Sequence, residues 1–356
     1  MVRPVDKLDE YHSVGLNILM KTLICTEPGS LEYAEQTIPE HSAGNTILRI
    51  RRIGLCGTDL HAYEGTQPYF SYPRILGHEL AAEIVETDHA DFEKGETVTF
   101  IPYFNCGDCI ACSNGKPNCC TDIKVCGVHI NGGMAEYLAV PSYSLIKSNG
   151  LSFDELALIE PLAIGAHAVR RAAVNKDEFV LVVGAGPIGL GIIEFARLAG
   201  AHVIVLDVND ARLNFCKEYL QVQHTINAVG GDVLTKLQEI TNGHMPTVVI
   251  DATGNLKAIN SAFQYMAHGA RYVLVGLQKE EIHFSHPEFH KREATLMSSR
   301  NATREDFEYV ISCIKNKQID PLKFITHKVS FDNLAMEFPS YIKPETGVIK
   351  AMVDLN

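Results

Sequence analysis

The sequence predicts an α/β protein in which a β-rich, turn-punctuated region is followed by a parallel, doubly wound sheet. Two observations lead there. From Lys21 to about Pro141, short apolar runs alternate with polar residues and are separated by Gly, Pro and Asn, which is the pattern of half-buried strands joined by turns. Between Phe179 and about Val275 the pattern becomes strand, helix, strand, and that alternation implies a parallel sheet with helices on its faces.

Taken in order, Met20 to Ile24 opens the first strand, and Ile47 to Ile53, Thr97 to Ile101 and Glu136 to Val140 alternate as strands should. Residues 1–19 read as a detachable extension. Glu155 to Arg171 changes to alanine- and leucine-rich helical spacing. Strands are then expected at 179–183, 202–206, 247–251 and 271–275, with helices at about 188–199, 210–220, 232–241 and 256–267. A helix follows from Thr303 to about Lys317. Thr303 and Asp306 have capping-box spacing there, and Phe307, Val310, Ile311 and Ile314 share one face. Two short strands, 324–329 and 347–353, return to the first region. At 356 residues two domains are expected.

Composition excludes some classes. The net charge of −12 leaves no basic stripe for phosphates, so no nucleic-acid partner is expected. The long uncharged stretch from Phe179 to Ile193 is too short to cross a bilayer, and no membrane association is expected. The N-terminus lacks the apolar core of a signal peptide, so the expected location is cytoplasmic.

Cys106, Cys109 and Cys112, with Cys119 or Cys120, lie in one short glycine-bearing loop, C-G-D-C-I-A-C-S-N-G-K-P-N-C-C. Four thiolates saturate a tetrahedral Zn²⁺, which makes a structural site rather than a reactive one. The competing reading, a disulfide pair, does not suit a cytosolic chain. Cys25, Cys126, Cys216 and Cys313, with Cys119 if Cys120 is the fourth ligand, are left as packing thiols.

A second, open zinc site is expected from Cys56, in G-L-C-G-T-D-L-H, and His78, in G-H-E. A thiolate, an imidazole and one carboxylate leave a coordination position for substrate, where zinc acts as a Lewis acid on an alcohol oxygen. The carboxylate is Glu79 or Glu160. Both together would over-neutralise the metal, so one binds while the other hydrogen-bonds or exchanges. Pro161 biases Glu160 toward an extended conformation that projects it from the join between domains. Thr58 and His61 offer a hydroxyl and an imidazole for carrying the alcohol proton to water.

Val180 to Gly189 reads as a strand running into G-x-G-x-x-G and then a helix. Gly184 makes the tight turn, Gly186 admits the pyrophosphate, and Gly189 lets helix pack on strand. Pro187 and Ile188 open the helix, whose N–H groups face the phosphates. Asp207, ending the next strand, accepts hydrogen bonds from ribose hydroxyls and repels a 2′-phosphate. NAD is therefore expected over NADP.

With these pieces in the order G-L-C-G-T-D-L-H, G-H-E, the four-cysteine run, G-V-H-I-N-G-G-M-A-E-Y, E-P-L-A, G-A-G-P-I-G-L and D-A-T-G-N, the chain resembles the zinc-dependent medium-chain alcohol dehydrogenases from about Met20 onward. Glu160, where liver-type members carry cysteine, is similar to the polyol, threonine and sugar-acid branch. The resemblance implies a GroES-like β-barrel catalytic domain over 20–155 and 300–356 and a Rossmann domain over 156–299. It further implies two zinc ions per chain, Cys120 as the fourth structural ligand, and a homodimer or homotetramer. By the same resemblance Val275, Gly276, Leu277 and Arg300 line the nicotinamide side. The expected activity is oxidation of a secondary hydroxyl of a small-molecule sugar acid or polyol. L-threonine or butanediol oxidation and a silent NAD- or zinc-binding protein are the alternatives. For the substrate, Arg300 or His290, Lys291 and Arg292 are candidates to grip a carboxylate, and Tyr69 and Phe70 to wall the pocket.

Overall fold

A computed structural model describes residues 18–68 and 70–355. The extension up to Asn17, and Tyr69, lie outside the described residues. Leu19–Glu27 pairs with Ser30–Thr37 and, at its far end, with Arg74–Ile75. The larger sheet runs Leu145–Lys147, Thr97–Phe100, Glu79–Glu86, Asn45–Gly54, Lys350–Asp354, Ile325–Ser330, with Tyr137–Pro141 also on Asn45–Gly54. Bulges near Leu48 and between Ile50 and Arg52 break strict alternation, so Ile47 and Ile53 are buried along with Leu48 and Ile50. Its inner residues pack with Leu23, Leu80, Phe100 and Phe338 into one core.

The second sheet is wholly parallel. Its order is His224–Asn227, His202–Asp207, Phe179–Val183, Val248–Asp251, Arg271–Leu274, Thr295–Ser298. In chain order this is 3-2-1-4-5-6, the dinucleotide-binding arrangement whose switch point lies between the first and fourth strands. Two of its strands escape sequence reasoning. His224–Asn227 is short and polar, and Thr295–Ser298 is an edge strand with three of its four residues exposed, so neither carries an apolar signature.

The helix Arg304–Lys315 buries Phe307, Val310, Ile311 and Ile314, the face its spacing predicts. Together with Ile159–Arg171 it joins the core that contains Val180 and Val182. One correction concerns the approach to Glu160. It is not extended: it lies in the first turn of the helix Ile159–Arg171. Proline is tolerated in a first turn because its missing N–H would have no intrahelical partner there.

Asp306 fastens this junction. Its carboxylate accepts from His167 Nδ1 at 2.8 Å, Arg170 Nε at 2.9 Å and Thr303 N at 2.8 Å. Burial opposes the charged form, but the hydrogen bonds from His167, Thr303 and Arg170 prevail and hold the acid at about 2. Against an unfolded value of about 3.9, stability from this group is complete above about pH 4 and is lost as pH falls toward 2. Asp306→Asn is expected to cost about 2 kcal/mol at pH 7 and to flatten the stability profile in that window, as read by denaturant midpoints.

Candidate active site

Cys56 caps the helix Gly57–Glu64, and Asp59, three residues on, completes a capping box with it. Asp59 accepts from Cys56 N at 3.0 Å and from Gly77 N at 3.1 Å. It therefore ties together the two loops that carry Cys56 and His78. The sequence reading did not single it out; its N3 position in a capping box was the available signal.

The ligand atoms of Cys56, His78 and Glu79 lie within 4.8 Å of one another, and both His78 and Glu79 are buried. His78 Nδ1 is buried without a hydrogen-bond partner among the described residues, 3.9 Å from Asp59 Oδ1. Burial alone would lower the imidazole pKa, yet Cys56, Asp59 and Glu160 raise it well above the ordinary value. So much negative charge around one imidazole calls for a cation, and thiolate, imidazole and carboxylate are zinc donors.

Glu160 stands outside that triad of close ligand atoms. Tyr103 donates its hydroxyl to Glu160 Oε1. Burial, with Glu79 nearby, pushes the Glu160 carboxyl up to about 7, although His78, Tyr103 and Lys350 act in the other direction. Glu79 is gripped from behind: Lys350 Nζ donates to Oε1 at 2.7 Å and Oε2 at 2.6 Å, and also to Leu55 O at 3.0 Å. A Cβ at position 54 would collide with the Glu79 carboxylate, so glycine there makes its room. Lys350 and Tyr103 were both missed, since a lysine in the strand Lys350–Asp354 and a tyrosine in the short strand Tyr103–Phe104 look ordinary.

Thr58 and His61 lie one turn apart on the helix that Cys56 caps, Thr58 half-buried and His61 exposed.

The four thiols of Cys106, Cys109, Cys112 and Cys120 form a second cluster within 4.8 Å, with Sγ–Sγ distances of 3.4 Å (Cys106–Cys120) and 3.5 Å (Cys109–Cys112). A disulfide would need about 2.05 Å, whereas a tetrahedron of ligands about 2.3 Å from zinc has edges of about 3.8 Å. Cys119 is exposed and outside the cluster. Exposure also rules it out as a packing thiol, unlike buried Cys25, Cys126, Cys216 and Cys313.

At the parallel sheet, Gly184 has φ +99, and a Cβ there would come 2.8 Å from Thr253 Cγ2. A Cβ on Gly189 would run into Gly184 O. Gly186 faces open space, with Arg212 Nη1 3.8 Å from where its Cβ would be. Pro187 and Ile188 begin the helix Pro187–Leu198. Asp207 Oδ2 accepts from Ala185 N at 2.6 Å and Oδ1 from Asn209 N at 2.8 Å, which fixes the carboxylate beside the glycine turn. Each oxygen keeps a lone pair for a ribose hydroxyl. Val275, Gly276 and Leu277 follow the fifth strand; Gly276 packs on Gly254, and Leu277 is 63% exposed. Arg300 follows the sixth strand and is exposed. Phe70 packs on Tyr72 at 4.8 Å between ring centroids. Arg292 and Lys291 pair with Glu288 of their own helix at 2.8 and 3.5 Å, which leaves them committed elsewhere.

Two family profiles match the chain: an alcohol dehydrogenase GroES-like domain over residues 42–150 and a zinc-binding dehydrogenase domain over 187–316. The chain is 43% identical over 336 residues to L-galactonate-5-dehydrogenase of Escherichia coli K12, covering 94% of this chain and 98% of that protein. A sorbitol dehydrogenase of Halalkalibacterium halodurans is 31% identical, covering 87% and 92%. Among solved structures, a short chain alcohol dehydrogenase (rspB) of E. coli CFT073 complexed with NADH superposes with a TM-score of 0.88 at 32% identity, covering 95% and 99%. The chain belongs to the zinc-type medium-chain alcohol dehydrogenases, with a GroES-like and a Rossmann-type domain. It is a zinc-dependent oxidoreductase that works with a nicotinamide coenzyme. Among the described residues no helix is long and apolar enough to cross a membrane.

Proposed function

We propose that this enzyme is a cytoplasmic, NAD-dependent dehydrogenase that oxidises a secondary hydroxyl of a sugar acid or polyol. The observation that carries the reading is the convergence of Cys56, His78 and Glu79 within 4.8 Å in a chain that also bears the glycine turn and Asp207. Two zinc ions per chain are proposed, one held by Cys56, His78 and a glutamate, the other by Cys106, Cys109, Cys112 and Cys120. The catalytic domain is assigned to 20–155 and 300–356 and the coenzyme domain to 156–299. When bound, the first zinc supplies Lewis acidity to the substrate hydroxyl.

The chain's own groups do the rest. Asp207 accepts the ribose hydroxyls and disfavours a 2′-phosphate, while Gly186 and the start of the helix Pro187–Leu198 receive the pyrophosphate. Val275, Gly276, Leu277 and Arg300 flank the nicotinamide end. Thr58 passes the alcohol proton toward His61, one turn further on and exposed to water. Lys350 holds Glu79 and Tyr103 holds Glu160, so each carboxylate has a resting partner when it is not needed at the metal. The edge strand Thr295–Ser298, with Leu296 38% exposed, is the proposed contact between two copies in a homodimer or homotetramer.

Sugar acids and polyols come first because the 43% identical relative is an L-galactonate-5-dehydrogenase and another is a sorbitol dehydrogenase. Absorbance of NADH, followed across sugar acids, polyols and threonine, tests the reading; zinc-loaded protein that turns over none of them overturns it. In the same assay Asp207→Ser is expected to narrow the preference for NAD over NADP by at least about tenfold, in line with loss of a charged hydrogen bond. A preference that does not move removes Asp207 from the coenzyme site.

A further inference from the structure

Most arginines that lie against the protein have a carboxylate partner: Arg52 with Asp154 and Asp354, Arg170 with Asp306, Arg271 with Glu178. Among the described residues neither Arg74 nor the exposed Arg300 has one. Arg74 donates one Nη2 bond to Ser71 Oγ at 3.0 Å, while its Nε is buried with no partner among the described residues. An unsatisfied buried donor is costly, which marks a place where a ligand atom belongs.

The surroundings of Arg74 bring further donors to it. The loop carrying His129 packs along the strand that leads from Arg74 to His78: Gly132 N donates to Ile75 O at 2.7 Å, Gly133 N to Gly77 O at 2.9 Å, and Ile75 N to Asn131 Oδ1 at 3.3 Å. His129 Nδ1 accepts from Val125 N at 3.0 Å, so its Nε2 is the donor. Partial burial and the charges of Arg300, Lys124 and Arg74 hold the His129 imidazole below its ordinary range. Lys124 is committed to Asp122 at 2.6 Å. Arg300 is anchored through its backbone, since Asn118 Nδ2 donates to Arg300 O at 3.0 Å and Asn301 Nδ2 to Asn118 O at 3.2 Å. Its exposed guanidinium has no partner among the described residues. Arg74, four residues upstream of the zinc ligand His78, and Arg300 thus both bear on His129, and among the described residues no carboxylate pairs with either arginine.

We propose that Arg74, His129 and Arg300 form the anion-binding end of the substrate site and hold the carboxylate of a sugar acid. The assignment rests on the dehydrogenase reading above and narrows it. Neutral polyols lose these contacts, and threonine brings an ammonium group into a cationic corner. A guanidinium presents paired N–H donors that match a carboxylate, and the second arginine and the imidazole complete its shell.

The test compares kcat/KM for a sugar acid, the polyol of matching stereochemistry and the corresponding sugar phosphate, with zinc-loaded enzyme and saturating NAD. Wild type is expected to prefer the acid over the polyol about 100-fold, tenfold or more for each arginine. Arg74→Met and Arg300→Met should each shrink that ratio at least about tenfold, and Arg74→Lys should restore part of it. A ratio near one in wild type, a ratio untouched by both variants, or a preference for the phosphate ester overturns the assignment. Calorimetric binding of the sugar acid to NADH-loaded protein separates this claim from the activity itself. Binding that weakens in both variants without turnover keeps the anchor and removes the dehydrogenase reading. Equal oxidation of acids and polyols removes the anchor and keeps the dehydrogenase.

Discussion

Replacing His78 by alanine should lower kcat/KM for alcohol oxidation by about 10³-fold or more while leaving NADH binding intact. The residue sits six per cent exposed, its ligand atom beside those of Cys56 and Glu79 and 3.9 Å from Asp59. Zinc contributes several kcal/mol to stabilising developing negative charge on the substrate oxygen, and each 1.36 kcal/mol is a factor of ten. The proposed coenzyme residues Gly184, Gly186, Gly189 and Asp207 lie at another sheet. Measuring NADH affinity by fluorescence beside the rate separates the two outcomes. A variant that keeps a tenth of its activity would place the chemistry elsewhere.

Lys350→Met should have the largest effect on stability. Lys350 is 2% and Glu79 0% exposed, and the ammonium serves both carboxylate oxygens and Leu55 O. Removing one partner of a buried pair leaves the other charge without solvation, which costs about 3–5 kcal/mol. The loss should be greatest in zinc-free protein, where no other cation can face Glu79. Lys350→Met combined with Glu79→Gln should recover much of it, because the stranded charge is gone. Urea midpoints of zinc-free single and double variants read this directly. Equal losses in the single and double variants would show that the ammonium packs rather than pairs.

Much of the architecture is legible in the chain because its elements are strongly patterned. Val180 to Gly189 announces strand, turn and helix at once, and the helix after Thr303 shows both its cap and its apolar face. Failures fall where pattern and position part. Thr295–Ser298 is an exposed edge, so it needs no apolar side chains to pair. Pro161 points to an extended Glu160, but proline is equally compatible with a first turn, and Glu160 lies in a helix.

The candidate site was legible in its ligands and not in its supports. Cysteine and histidine among glycines stand out in any sequence, and so does an acid after a dinucleotide turn. Asp59, Tyr103 and Lys350 act through contacts between segments distant in the chain, Lys350 meeting Glu79 across 271 positions. Only the pairing of Lys350–Asp354 and Glu79–Glu86 on either side of Asn45–Gly54 brings those two together. Arg74 is a similar case: that its Nε finds no partner among the described residues is a property of the fold, invisible in its neighbours in sequence.

Zinc per chain, measured by elemental analysis in wild type, His78→Ala and Cys109→Ser, bears most directly on the metal assignment. Two equivalents in wild type and one in His78→Ala, with the remaining one lost only when the four-thiol cluster is disrupted, is the predicted pattern. One equivalent in wild type, unchanged by His78→Ala, would contradict it.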